Sequence, residues 1–190
     1  MYRRRVFAFI MLCLGIWTVG WAQAELSEFP VGITTMTWTL RGKGLPAAQT
    51  LSLAVEGLPE GRYRVRLSVE AEGLPGELGI LGFLGSAVYI QAAGANLDLS
   101  ALMRTLIRWR QLLKVGEEYA LPGGMFRVKE KTDIAGVSCL VGEYTQAGVP
   151  SSPVELGLAL SDPVYFLPLL RAYDEEEVVF EMVLTEYTRS

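Results

Sequence analysis

The chain contains no histidine. That removes the commonest general base, the usual partner of a catalytic serine or cysteine, and the commonest transition-metal ligand. No G-x-S-x-G elbow, Walker-type loop or G-x-G-x-x-G turn occurs either, so the familiar routes to acyl transfer, nucleotide hydrolysis and dinucleotide binding are closed. Paired carboxylates, as in glycosidases, remain possible chemistry, but no spacing along the chain establishes their separation. The expectation is a protein that is not an enzyme, with no catalytic residue, no metal and no cofactor. Cysteine is equally scarce: Cys13 and Cys139 only.

The most specific signal lies at the start. Arg3, Arg4 and Arg5 precede an uncharged stretch from Val6 to Ala24 that closes on Ala22-Gln23-Ala24. A positive n-region, an apolar h-region and an A-x-A site read as a cleavable export signal over residues 1–24. Residues 25–190 are then one extracytoplasmic domain, periplasmic or otherwise outside the cytoplasm. Cys13 sits between Leu12 and Leu14 ahead of the cut, without the small residue that a lipoprotein signal places before its cysteine, so no lipid anchor is expected. Cys139 is left alone in the mature chain, which excludes an intramolecular disulfide and assigns stability to the core. Its alternating apolar surroundings read as packing rather than reactivity.

The chain has 17 Lys and Arg, three of them in the signal, which leaves 14 against 21 Asp and Glu and a mature net charge of −7. That sign argues against nucleic acid and against anionic membrane surfaces as electrostatic partners. Asp174-Glu175-Glu176-Glu177 reads as a solvated turn before the last strand, because consecutive side chains diverge rather than converge on a cation.

Period-two alternation dominates the mature chain. Val31 to Arg41 sets Thr34, Met36, Trp38 and Leu40 on one face, Leu51, Leu53 and Val55 continue a second strand, and Tyr63 to Ala71 sets Val65, Leu67 and Val69 opposite Arg62, Arg64 and Arg66 as a strand with one wet face. The glycine-spaced apolar segment Gly73 to Gly85 reads either as a buried strand and turn or as a flap; a strand resumes over Ser86 to Gln91. Leu97 to Leu113 is the one strong helix, with Asn96 or Asp98 as N-cap and Leu99, Leu102, Met103, Leu106 and Leu113 along its stripe, a core face or a cavity lid. Strands return around Phe126 and Val128, from Val137 to Tyr144, from Val154 to Leu160 and from Val178 to Thr188, while Val164 to Leu170 reads as a short helical segment. The fold class is α+β: a curved antiparallel sheet, an incomplete β-barrel, covered by one main helix and a short second helical segment.

Within that pattern, Val88-Tyr89-Ile90, Leu112-Leu113, Asp133-Ile134-Ala135-Gly136-Val137, Glu143-Tyr144, Pro168-Leu169-Leu170 and the closing Val183-Leu184-Thr185-Glu186-Tyr187 resemble, in this order, the LolA-like outer-membrane lipoprotein carrier superfamily and its mycobacterial lipoprotein relatives. The resemblance implies a lipid-binding half-barrel whose cavity shields the acyl chains of a lipid or lipoprotein during transport across the envelope, with an envelope protein as acceptor. It implies a lining of Met36, Trp38, Leu51, Leu53, Val65 and Leu67, with Leu102, Met103 and Leu106 as a lid. The acidic mature chain and the Gly73 to Gly85 segment depart from the family pattern. They leave open a second reading, a non-catalytic structural or protein-binding envelope module of the same fold with a filled core.

Overall fold

The computed structural model describes residues 29–43, 45, 47–72, 99–174 and 176–190; the side chains of residues 99–101, 103 and 149–152 lie outside the description. The expected signal segment, the Gly73 to Gly85 segment, the strand over Ser86 to Gln91 and the caps Asn96 and Asp98 fall outside the described residues.

Among the described residues nine strands form one antiparallel sheet: β1 (Gly32–Gly42), β2 (Gln49–Gly57), β3 (Tyr63–Ala71), β4 (Glu118–Leu121), β5 (Gly124–Ile134), β6 (Val137–Gln146), β7 (Val149–Ala159), β8 (Leu169–Asp174) and β9 (Glu177–Arg189). Helix α1 (Leu99–Trp109) lies between β3 and β4 in sequence. The spatial order is β3-β2-β1-β9-β8-β7-β6-β5-β4, so two meanders meet where the first strand pairs with the last. Among the described residues the sheet is open, with β3 and β4 as its edges.

Local sequence accounts for the hairpins. At the β5–β6 turn, Ala135 and Gly136 both take positive φ, 51° and 79°, the geometry that matches a two-residue turn to the twist of its strands. Asp133 Oδ1 accepts from the Gly136 N–H at 2.9 Å and holds that turn. At the β4–β5 turn Pro122 precedes Gly123, whose φ of 79° suits the position after a turn proline. The acidic run closes the β8–β9 hairpin, where Asp174 pairs with Glu177, and Glu177 accepts from Lys43 Nζ at 2.6 Å. Between these two strand ends Glu176 lies in a turn.

Two expectations need correction. Val164 to Leu170 is not helical: residues 161–168 run as an irregular strap, and Leu169 and Leu170 open β8. Pro163 and Pro168 lack the N–H that a helix uses and push their predecessors toward extended backbone. The second helical segment therefore does not exist. The main helix is also shorter than Leu97 to Leu113, since the chain turns after Trp109, whose carbonyl accepts from the N–H groups of Leu112 and Leu113.

Most of one sheet face is buried. Along β1 the buried side chains are Thr34, Met36, Trp38 and Leu40, and along β2 Gln49, Leu51, Leu53 and Val55. Phe126, Val128, Tyr144, Val154, Leu156, Leu170, Phe180 and Leu184 extend the same cluster through the other meander, and Leu102 and Leu106 of α1 join it.

Candidate binding surface

Strand register aligns the candidate residues in rows. Met36 pairs with Leu53 and Leu53 with Leu67; Trp38 pairs with Leu51 and Leu51 with Val69; Thr34 pairs with Val55 and Val55 with Val65. Residues directly opposite on antiparallel strands share a face, so the three strands present one apolar surface. Its burial stops abruptly. Met36 and Trp38 are 0% exposed and Leu53 2%, whereas Val65, Leu67 and Val69 on β3 are 41%, 55% and 39% exposed. The expected half-buried strand is thus open on both faces, because the described residues that cover β1 and β2 do not reach it.

The cover over β1 is the strap. Trp38 donates its indole N–H to the Leu167 carbonyl at 2.9 Å, and the Phe166 ring meets the indole edge-on with centroids 5.5 Å apart. Tyr165 N–H points to Met36 Sδ at 3.3 Å and its ring packs on Phe166 and Phe29. The Pro168 carbonyl accepts from the Leu184 N–H at 2.8 Å and ties the end of the strap to β9. Leu102 and Leu106 are 1% and 0% exposed. Beside them Ile107 and Arg110 share a gap of about 30 Å³ with Leu158, Pro163 and Leu167. That gap holds roughly two water molecules, far from the ~300 Å³ or more that a small-molecule site requires.

Of the nine candidates, then, Met36, Trp38, Leu51, Leu53, Leu102 and Leu106 are buried together in one cluster, and Val65 and Leu67 are exposed beside it. Met103 lies on α1 with its side chain outside the described ones. At one end of the surface Leu40 pairs with Gln49 and Gln49 with Ala71. Gln49 is 7% exposed, and its Oε1 finds no hydrogen-bond donor among the described residues. A buried acceptor without a donor costs about 1–3 kcal/mol. Alternation along β2 marks Gln49 as facing the core, and a polar residue in that position is the signal by which sequence reasoning could have found it.

The opposite face carries charge. Arg171 sits between two carboxylates, Nε to Glu181 at 2.6 Å and Nη1 to Glu155 at 3.0 Å, and Tyr173 OH donates to Glu155 at 3.4 Å. Burial works against the Arg171 guanidinium, but its hydrogen bonds to Glu181 and Glu155 outweigh that and hold its pKa above the ordinary value. Lys129 donates to Glu143 on β6 at 2.5 Å, and that bond raises its pKa. These pairs stitch neighbouring strands together on the exposed face. The carboxylates are committed to cations, and among the described residues no group of three or more acidic or cysteine side chains is placed to hold a metal ion.

Cys139 is fully buried on β6, and burial, then the charge of Asp133, pushes its thiol from an ordinary 9.0 to about 12. Because the thiolate is the nucleophile, iodoacetamide at pH 8 is expected to leave Cys139 unmodified in the native protein and to label it in denaturant, read by mass spectrometry of its peptide. The unfolded thiol ionises first, so this thiol's contribution to stability is fully present below about pH 9 and is lost as the pH rises towards 12.

No family model matches the sequence, and no curated protein matches it. The chain is similar to solved structures of MucB. One is of MucB alone, 14% identical with a TM-score of 0.46, over 87% of this chain and 56% of that one. Another is MucB in complex with MucA(peri), 14% identical, TM-score 0.47, over 88% and 53%. A third is the Pseudomonas aeruginosa MucA/MucB complex, 14% identical, TM-score 0.47, over 86% and 53%. The chain spans a little over half the length of these proteins. No helix among the described residues is long and apolar enough to cross a membrane.

Proposed function

We propose that this protein is a non-catalytic binding protein of the cell envelope, of the LolA-like kind, that holds an acyl chain of a lipid or lipoprotein against the open part of its apolar sheet face. The observation that carries the reading is the step in burial from Leu51, Leu53 and Val55 to Val69, Leu67 and Val65. It leaves an apolar strip uncovered by the described residues and in register with the core. Burial of each methylene is worth about 0.8 kcal/mol, so a long chain laid on that strip gains affinity without directional chemistry. Export by the N-terminal signal puts the protein where such lipids travel.

The test is native mass spectrometry with organic extraction of protein recovered from the envelope of cells expressing the full chain. A reproducible mass increment that extracts as phospholipid or acyl chain is expected. Leu67→Glu, at a position 55% exposed, should keep the fold and reduce lipid retention about tenfold or more, since a carboxylate now interrupts the strip. A bare mass that persists after incubation with lipid vesicles would overturn the reading.

One observation favours a second reading. The strap seals Met36 and Trp38, so most of the residues named as a lining pack as a filled core. That arrangement suits a protein-binding envelope module, and a bare mass would direct the search to protein partners.

A further inference from the structure

We propose that the β3 edge pairs with the β3 edge of a second copy of this chain, antiparallel about a two-fold axis at Leu67. Long edge strands are normally blunted by proline, a bulge or an inward charge, because their free N–H and C=O groups recruit other strands. β3 carries none of these. It contains no proline, its register with β2 is unbroken from Tyr63 to Ala71, and its core-side residues Val65, Leu67 and Val69 are apolar. The opposite edge, β4, is only four residues long.

The residue order says which partner fits. From Arg62 to Glu72 the chain reads Arg-Tyr-Arg-Val-Arg-Leu-Ser-Val-Glu-Ala-Glu, basic at one end and acidic at the other on the same face. Set antiparallel on a copy of itself and centred on Leu67, Arg64 falls opposite Glu70 of the partner subunit and Arg66 opposite Ser68 of the partner subunit. Just beyond the strand, Arg62 meets Glu72 of the partner subunit. On the other face Val65 meets Val69 of the partner subunit, Tyr63 meets Ala71 of the partner subunit, and Leu67 meets itself. Opposite charges and apolar side chains directly across an antiparallel pair both stabilise it. A register centred on Arg66 would place two arginines face to face, and one centred on Ser68 would leave Tyr63 and Arg64 without a strand partner. The Leu67 register pairs every residue of β3.

Within the chain Glu56 already takes Arg64 at 2.9 Å and Arg66 at 3.8 Å, while Glu70 makes no ion pair among the described residues. Arg64, Arg66 and Glu70 are all exposed. A β3–β3 contact would continue the sheet across the axis and join the two uncovered Val65-Leu67-Val69 strips into one platform. The pairing concerns the strand edge, and it stands whether lipid or protein occupies the face.

Sedimentation of the lipid-stripped protein, recovered from cells expressing the full chain, tests it at concentrations on the order of 10–100 µM. A reversible dimer is expected. Glu70→Arg should weaken it about tenfold, because each dimer contains that contact twice, and adding Arg64→Glu should restore it by exchanging the charges. Under oxidising conditions Leu67→Cys should cross-link to its own copy, since facing residues lie at disulfide distance. Val65→Cys alone should not, but should link when mixed with Val69→Cys. A monomer across the whole range, a dimer indifferent to Glu70→Arg, or equal cross-linking through Val65→Cys alone would overturn the proposal. Circular dichroism of each variant separates loss of pairing from loss of fold.

Discussion

Leu106→Glu is expected to unfold the protein. Leu106 is 0% exposed on α1 and belongs to the same buried cluster as Trp38 and Leu156. Truncation to alanine at such a position costs about 2–5 kcal/mol through lost transfer energy and the cavity left behind. A glutamate adds the desolvation of a carboxylate with no cation to meet it, on the order of 5 kcal/mol in total. That is comparable with the whole stability of a typical domain, about 5–15 kcal/mol. Far-ultraviolet circular dichroism and urea titration at pH 7 should show an unfolded or strongly destabilised chain. Lowering the pH towards about 4, near the ordinary glutamate pKa, should relieve part of the loss, because protonation neutralises the buried carboxyl and lowers its desolvation cost. A folded variant that had lost only its lipid would instead mean that α1 lines a cavity. The same substitution thus separates a packed helix from a lid.

Trp38→Ala is expected to cost about 3–5 kcal/mol, the range for removing a large buried aromatic. The side chain joins sheet and strap: it is 0% exposed, donates to the Leu167 carbonyl and takes the Phe166 ring on its edge. Its removal leaves that carbonyl without its donor and the strap without its anchor, so residues 161–168 should become accessible to protease before the sheet unfolds. Denaturant midpoints measure the first effect and limited proteolysis the second. Fluorescence gives an independent reading. With Trp17 and Trp21 in the expected signal segment, Trp38 and Trp109 are the indoles outside it, and Trp109 is 37% exposed. The variant should therefore emit at longer wavelength than the parent while still folded. Unchanged emission and stability would show that the strap does not depend on the indole.

Strand positions were legible because each reports its own environment. Thr34, Met36, Trp38 and Leu40 alternate with threonines, and the same residues are the buried ones in β1. The turn at Asp133-Ile134-Ala135-Gly136 was visible as a family-like step, and its physical content is the pair of positive φ angles that only such a turn demands. The strap was misread as helix because the apolar run Val164, Tyr165, Phe166, Leu167 fits a helical stripe and a buried extended segment equally well. Two prolines at its ends were the better evidence. The exposure of β3 was missed for a different reason. Val65, Leu67 and Val69 carry the cleanest alternation in the chain, yet alternation records which face a side chain shares and not whether another element arrives to cover it.

What the sequence by itself determined is local and compositional: the absence of histidine chemistry, the export-like N-terminus, the antiparallel strands with their turns, and the placement of Met36, Trp38, Leu51 and Leu53 on one face. The tertiary structure alone decided that β1 pairs with β9 to join two meanders, that the strap rather than a second helix closes over Trp38, and that β3 is, among the described residues, an edge whose apolar face they leave uncovered. The division has one physical cause. Periodicity and turn chemistry are set by neighbours within a few residues, whereas cover and edge are set by contacts such as Trp38 to Leu167, 129 residues apart, which no local pattern encodes.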